Sequence, residues 1–394
     1  MRVARARLLG DLARNRGPAA TLAVALLAAV ASLGSVFLPA GRGAAAVREP
    51  PDYAPGANAP PRLADTGLHQ DASAERVAAD VLAYTPQYPL WSDGATKRRW
   101  IRLPPGAAID ASDPDAWVFP IGTQIWKEFS FGRRVETRYM ERLADGTWRF
   151  AVYAWTADGS DARLAPTRGI RRVAESRPGV PYDIPSVYDC RACHEGGPTP
   201  VLGFSALQLS PDRDPLAAGA ERPRAGDVDL ARLLERGLIR RLPASLVTRP
   251  PRIAAPTPRA RAALGYLHAN CGNCHDARGP LGSLGLSLVQ RVAPRAAPPP
   301  ALATAVGVVS RFRPHGSGGS GTPLRIRSGH PEESVLFTRM ASRDPLLQMP
   351  PLGTRLADEG ALALVSEWIR ELPPQRTGSS KRTPAAPHVT PEEP

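Results

Sequence analysis

Polar and apolar residues alternate along the first half of the chain in the manner of β-strands. Residues 134–143 alternate with period two, and residues 148–154 do so again after an Asp-Gly turn, which predicts a hairpin. Two apolar stretches before this hairpin, 117–122 and 125–131, predict two more short strands. The pattern therefore predicts an antiparallel sheet or sandwich over residues 63–181.

The second half of the chain changes to helical periodicity. Thr257 and Pro258 provide an N-cap and a first helical position, Pro331 starts a second helix, and Asp358 caps a third. In the third helix apolar residues recur at i, i+3, i+4 and i+7, which gives it one buried face. The pattern predicts an all-α domain over residues 257–372.

The N-terminus has the pattern of a targeting segment. Residues 1–18 carry five Arg against one Asp, and residues 19–38 carry no charge. A positive stretch before an apolar run is typical of an export signal, and residues 44–46 offer a small-residue cleavage site. An apolar run of about 20 residues also suffices to span a bilayer. A cleaved signal and an uncleaved membrane tether through residues 19–38 both stay open.

Composition and charge exclude some classes of protein. The chain has 394 residues, 43% of them hydrophobic, which is enough to build cores. Its 4 Cys are too few for a disulfide scaffold. The net charge is +13, but zinc-finger spacings and a basic helix with heptads are missing from the sequence, so we predict no nucleic-acid partner. The positive charge favours an acidic protein partner.

Every cysteine belongs to a C-x-x-C-H motif. The motifs are Cys190-Arg-Ala-Cys193-His194 and Cys271-Gly-Asn-Cys274-His275. At this spacing two thiols form thioethers with the vinyl groups of one haem, and the adjacent imidazole binds the iron. The sequence therefore predicts two covalently attached haem c groups, with His194 and His275 as iron ligands.

Other uses of these cysteines explain less. A zinc site would have to pair the motifs, yet 77 residues separate Cys193 from Cys271. A thioredoxin-like site would need a βαβ context, which neither motif has. Two disulfides would leave both histidines unexplained.

The second motif has a candidate for the sixth iron ligand. Met349 lies in the segment Gln-Met-Pro-Pro, and the proline that follows favours an extended backbone suited to presenting a side chain. A Met thioether on the second haem face raises the reduction potential. Met340 is the alternative, but it lies in a predicted helix at an apolar spacing, where packing is expected.

The sixth ligand of the first haem is open. No Met follows His194 within a hundred residues, so the candidates are Met140, His69, His268, His315 and His330. Met140 shares a strand face with charged residues, so we expect it outside the core, facing solvent or a haem. His268 is close to the second motif, and we expect it to pack or to bond the backbone. Bis-His ligation and a five-coordinate iron are the other options.

The whole chain resembles a little-characterised family of bacterial dihaem c-type cytochromes, and its C-terminal part resembles a class I cytochrome c domain. The motifs that carry the resemblance are Tyr88-Pro-Leu-Trp-Ser-Asp-Gly-Ala95, Phe119-Pro-Ile-Gly-Thr, Glu136-Thr-Arg138, Leu202-Gly-Phe-Ser-Ala-Leu-Gln-Leu, Met349-Pro-Pro-Leu-Gly and the two C-x-x-C-H sequences. The resemblance implies an exported redox protein and supplies no substrate. From the residues alone, Ser92-Asp93-Gly94 predicts a turn, and Arg98, Arg99 and Arg102 predict a solvated strand edge.

Together these patterns predict an α+β multidomain protein: a β-rich, sandwich-like domain followed by an all-α class I cytochrome c-like domain. The expected segments are a signal or anchor (1–46), a linker (47–62), the β-rich domain (63–181), a first haem segment (182–256), the domain with the second haem (257–372) and a disordered tail (373–394), with a mobile insertion at 291–321.

The expected function is single-electron transfer between periplasmic or membrane redox partners. Two alternatives remain. One is a haem enzyme with an open first iron and the second haem as relay. The other is a haem-based sensor or assembly factor.

Overall fold

A six-stranded antiparallel sheet is the centre of the N-terminal half. The computed structural model describes residues 58–71, 76–292, 300–313 and 322–374. The strands lie across the sheet in the order β1 (Leu82–Ala83), β2 (Thr96–Arg102), β4 (Gln124–Phe131), β5 (Arg133–Arg142), β6 (Trp148–Trp155) and β7 (Ala162–Leu164). Two small two-stranded sheets join β3 (Ile109–Asp110) to β10 (Ile239–Arg240), and β8 (Ile170–Arg177) to β9 (Val180–Ile184).

The predicted hairpin is confirmed as β5 and β6. The turn is closed by Asp145, whose carboxylate accepts a hydrogen bond from the Thr147 N–H at 2.9 Å, and by Gly146 at φ 83°. The strand predicted at 125–131 is β4. The strand predicted at 117–122 is not formed, because only Val118 makes a β-bridge and Pro120 and Gly122 follow it in a turn.

Both faces of the sheet are buried. In the described part of the chain they are covered by segments other than a second large sheet. The outer face packs its aromatic side chains, among them Trp126 and Tyr139, on the segment around Leu63 and Leu68. The inner face packs on residues 187–239. The sandwich-like expectation is therefore corrected, because helical and irregular segments, rather than strands, form the opposing layers.

Seven α-helices occur among the described residues, and helices of all types, including 3-10 turns, account for 23% of them. They are α1 (Val187–His194), α2 (Leu230–Glu235), α3 (Ala244–Thr248), α4 (Pro258–Asn270), α5 (Pro300–Ala305), α6 (Val335–Ala341) and α7 (Glu359–Glu371). Three 3-10 turns span Leu63–Thr66, Gly282–Leu284 and Pro331–Glu333.

The expected all-α class I cytochrome c domain is not what the structure shows, and that prediction is wrong. The molecule is β-rich, and even its C-terminal part contains β-bridges, which pair Val306 with Ile326 and Leu324 with Ser334. The helical periodicity correctly predicts α4 and α7. It did not extend through the Pro- and Gly-rich connections, whose residues favour turns and extended backbone.

The helix caps predicted from sequence are present at two of three sites. The Thr257 side chain accepts from the Ala260 N–H, and the Asp358 carboxylate accepts from the Ala361 N–H. At Pro331 the chain instead makes a 3-10 turn, and α6 starts after it at Val335. The α4 and α7 helices pack together and enclose a core that includes Leu264, Leu267 and Trp368.

Several sequence predictions lie outside the described residues. These are the export segment 1–46, most of the linker, residues 293–299 and 314–321 of the insertion with His315, and the tail beyond residue 374. Within the described ranges, none of the helices combines the length and the apolarity needed to cross a bilayer.

Candidate haem-attachment site

The first motif occupies the last turn of α1. Ser186 begins the helix with a capping box: its hydroxyl accepts from the Asp189 N–H at 3.1 Å, and the Asp189 carboxylate accepts from the Ser186 N–H at 2.9 Å. The helix contacts β6, and Cys190 packs against the core of the inner sheet face. The cap thus fixes the start of the helix, and with it the position of the motif relative to the sheet.

The His194 imidazole has the orientation and protonation state of a metal ligand. Its Nδ1 lies 2.6 Å from the Pro200 carbonyl oxygen, so a proton on Nδ1 donates to that oxygen and leaves Nε2 with a free lone pair. The ring contacts the edge of Phe150 at a centroid distance of 5.5 Å. Burial lowers the pKa of His194 to about 4, which keeps the ring neutral near pH 7.

The second motif follows directly on α4. The Cys271 N–H donates to the Leu267 carbonyl at 2.9 Å, and the His275 N–H donates to the Cys271 carbonyl at 2.9 Å, so the motif adds one more helical turn. Burial lowers the pKa of His275 as well. Its Nδ1 is buried with no hydrogen-bond partner within the described residues, so the second imidazole lacks the carbonyl support that His194 has.

The two motifs touch each other. The Cys193 and Cys274 thiols are neighbours, and their interaction raises the pKa of Cys193 and lowers that of Cys274. Cys274 Sγ also lies 3.9 Å from the Ala192 carbonyl oxygen. Gly196 permits the approach, because a Cβ there would lie 2.2 Å from the Asn273 carbonyl oxygen. The sequence carried no signal for this contact.

This contact bears on the zinc alternative, because the separation of the motifs along the sequence is one argument against it. The motifs are adjacent in space despite the 77 residues between Cys193 and Cys271. The four cysteines are nevertheless free thiols and do not converge as a tetrahedral ligand set. Among the described residues, the only group of acidic, His or Cys side chains close enough to share a cation is the exposed set His330, Glu332 and Glu333.

The structure brings Met349 to the second motif. A small cavity is lined by Cys271, Tyr266, Met349 and Met340. The Met349 N–H donates to the Arg339 carbonyl at 2.9 Å, which ties its loop to α6. Met340 also packs in the core between α4 and α7, in line with the packing role expected for it.

Met140 lies on the same sheet face as the first motif, but its expected position outside the core is wrong. Its side chain is only 7% exposed, in a core cluster that also contacts Cys190. Met140 pairs across the strands with Phe150, the residue whose ring touches His194. The alternating pattern correctly predicts the sheet face on which Met140 lies. It does not predict that the side chain is buried, because α1 covers that face.

The other described candidates for a ligand of the first iron contact other residues or lie away from the first motif. His69 packs against Trp155 on the outer sheet face, and the sheet separates it from α1. His268 Nδ1 accepts from the Gln290 N–H at 3.1 Å, which confirms the expected backbone bond. His330 is exposed beside Glu332 and Glu333.

Cations line the inner sheet face next to the first motif. The strand register sets Arg99, Lys127 and Arg138 side by side. Arg138 donates to the buried Glu136 carboxylate at 2.7 Å, and Lys127 Nζ lies 4.9 Å from the Phe129 ring centroid. Arg99 is buried, so the expected solvated strand edge is wrong for it.

The segment 88–95 ties the sheet to the second motif. The Trp91 N–H donates to the Asn270 side-chain oxygen at 2.7 Å, at the end of α4. The Asp93 carboxylate accepts from the backbone N–H groups of Arg355 and Leu356, each at 2.9 Å. The turn predicted at Ser92-Asp93-Gly94 is formed. The long-range bonds of Asp93 to the loop after Met349 were not predictable from spacing.

Comparison of the chain with protein-family models, with curated proteins and with solved structures gave no match. Any conclusion about function therefore rests on the residues and geometry described above.

Proposed function

We propose that the chain is an exported dihaem c-type cytochrome that transfers single electrons between periplasmic or membrane redox partners. The observation that carries the proposal is the convergence of two C-x-x-C-H motifs, with Cys193 and Cys274 in contact and the other cysteine of each motif also free.

The residues present fit covalent haem. His194 offers a neutral imidazole with Nδ1 held by the Pro200 carbonyl and Nε2 free, and partial burial lowers the pKa of His275, which favours its neutral form as well. Cys190 with Cys193, and Cys271 with Cys274, would supply the thioether sulfurs. Bound haem supplies a reversible one-electron iron couple.

The chain's own contribution is to hold these half-buried groups side by side. The sheet covers one side of α1, and the α4–α7 core supports the second motif. Because the attachment thiols of the two motifs are neighbours, we infer a coupled pair of sites rather than two independent carriers.

For the sixth ligands we propose Met349 at the second site and Met140 at the first. Met349 is supported by the cavity that it shares with Cys271. Met140 is supported by its place on the sheet face that carries α1, one side chain away from His194 through Phe150.

Export and partner choice follow from the sequence. The charged and apolar pattern of residues 1–38 supports transport to the periplasm, where c-type haem is attached and where the segment would be cleaved or would remain as a tether. The net charge of +13 supports an acidic redox partner, whose association would weaken with salt.

The test is haem content after expression in a host with c-type maturation. The wild-type chain should carry two covalent haems, measured by pyridine haemochrome absorbance and intact mass. The double variant Cys190→Ser/Cys193→Ser should carry one, and the control His330→Ala, at an exposed histidine, should carry two. A wild-type chain with no covalent haem would overturn the proposal.

Carbon monoxide added to the reduced protein then tests the sixth ligands. Two closed irons leave the spectrum unchanged and support electron transfer. A shift of about half the haem absorbance would identify one open iron and would replace the carrier function with a haem enzyme.

A further inference from the structure

A cavity of about 340 Å³ lies beside the sheet, between β2 and the loops around residues 85–95 and 218–224. This volume is within the range of sites for small organic molecules. Part of its wall is apolar, formed by Pro89, Leu90, Trp91 and Ala95. The site just described makes no use of it.

One buried ammonium group lies at the cavity wall. The Lys97 side chain is 7% exposed, and its Nζ donates to the Leu90 carbonyl at 2.8 Å and lies 3.9 Å from a Glu221 carboxylate oxygen. Because Leu90 and Glu221 both line the cavity, the ammonium faces it. An ammonium has three N–H donors, and the Leu90 carbonyl takes one of them.

The carboxylates near Lys97 are engaged by other groups. Both oxygens of Glu221 accept from Arg99, at 2.8 and 3.0 Å. The Asp358 carboxylate caps α7 through the Ala361 N–H at 3.1 Å and hydrogen-bonds Tyr266.

Two exposed arginines, Arg222 and Arg224, add positive charge at the cavity's edge. The cavity therefore has an excess of cations over acids, with one cation out of water. Burial also lowers the pKa of Lys97 to about 8, which shows that the groups around it compensate its charge only in part.

We propose that this cavity binds a small organic carboxylate. The ligand carboxylate pairs with Lys97, and its apolar body lies against Leu90 and the Trp91 indole. Trp91 also lines the cavity that holds Cys271 and Met349, so a bound ligand lies one side chain away from the second motif. This binding site goes beyond the proposed electron transfer and does not depend on it.

The test uses benzoate as probe and benzamide, its neutral analogue, as control ligand, with isothermal titration of the full mature protein at pH 7. Benzoate should bind saturably and benzamide should not. Lys97→Met should weaken benzoate binding at least tenfold, since a hydrogen bond to a charged group contributes about 1.5–3 kcal/mol and 1.4 kcal/mol is tenfold. Arg98→Met is the matched control, because Arg98 is exposed on the opposite face of β2 and stacks on Trp100. It should bind as the wild type does.

A second variant tests the cavity independently, in case Lys97→Met does not fold. Arg222→Gln/Arg224→Gln changes only exposed side chains and should weaken benzoate binding several-fold. Absence of saturable benzoate binding, equal binding of benzamide, or an unchanged affinity in both cavity variants would overturn the site. Haem content is measured on the same samples, so failure of the carboxylate site is distinguishable from failure of haem attachment.

Discussion

The packing of α4 on Tyr88 gives a sharp test of how the sheet and the second motif are joined. A Cβ added at Gly265 would lie 2.1 Å from Cε1 of the Tyr88 ring and 2.4 Å from Cδ1. The ring has little freedom to move, since its hydroxyl donates to Asp214 at 3.0 Å and its backbone N–H donates to the Gln208 side chain at 3.0 Å. Gly265→Ala must therefore shift the helix or the ring.

The magnitude follows from two opposed effects. In a helix interior, alanine is favoured over glycine by about 1 kcal/mol. Overpacking a well-filled core costs about 1–3 kcal/mol, and contacts this short with a fixed ring belong at the upper end. We expect Gly265→Ala to lower the free energy of unfolding by about 1–2 kcal/mol. For a chain of this size that corresponds to a fall in Tm of roughly 2–3 °C.

The assay is thermal and urea unfolding followed by tryptophan fluorescence. Gly360→Ala is the matched control, because Gly360 also lies in a helix and its added Cβ would meet only the Asp358 carboxylate, at an ordinary 3.6 Å. That variant should match the wild type or gain up to about 1 kcal/mol. If Gly265→Ala proved as stable as Gly360→Ala, the packing of α4 against the Tyr88 ring would be refuted.

Three further predictions concern charge and contact. The folded-state pKa of Lys97, about 8, lies below the unfolded value of 10.5, so the unfolded chain binds more protons between these values. The unfolding free energy of the wild type minus that of Lys97→Met should therefore rise from pH 8 to 10.5 in denaturant titrations, and a flat difference would contradict the burial of this amine. Gly196→Ala should separate the motifs, because an added Cβ would lie 2.2 Å from the Asn273 carbonyl oxygen. It should lower Tm more than Gly197→Ala does, where an added Cβ meets only the Thr199 carbonyl oxygen, at 4.0 Å, and where φ is likewise not positive. Asp93→Ala frees two backbone N–H groups of the loop after Met349 and should speed proteolysis within that loop, as mapped by mass spectrometry. Unchanged cleavage would argue that the Asp93 carboxylate does not hold this loop.

Features set by neighbouring residues were predictable from the sequence. The β5–β6 hairpin follows from alternation around an Asp-Gly turn, and the starts of α4 and α7 follow from Thr257 and Asp358, whose side chains act within three residues. The failures are non-local. Alternation placed Met140 on the correct face but could not show that α1 covers it, and helical spacing in α4 and α7 could not show what the Pro- and Gly-rich connections form.

The contacts of segment 88–95 explain why the β-rich part and the second motif belong to one structure. Tyr88 packs on Gly265 within α4, Trp91 bonds the end of that helix, and Asp93 holds the loop that follows Met349. A single short segment of the β-rich part thus contacts both sides of the cavity that contains Cys271 and Met349. Movement of this segment would change the backbone bonds that hold the loop after Met349. Segment 88–95 is therefore a structural part of the candidate second site, and a fragment that begins at α4 should not form that site without it.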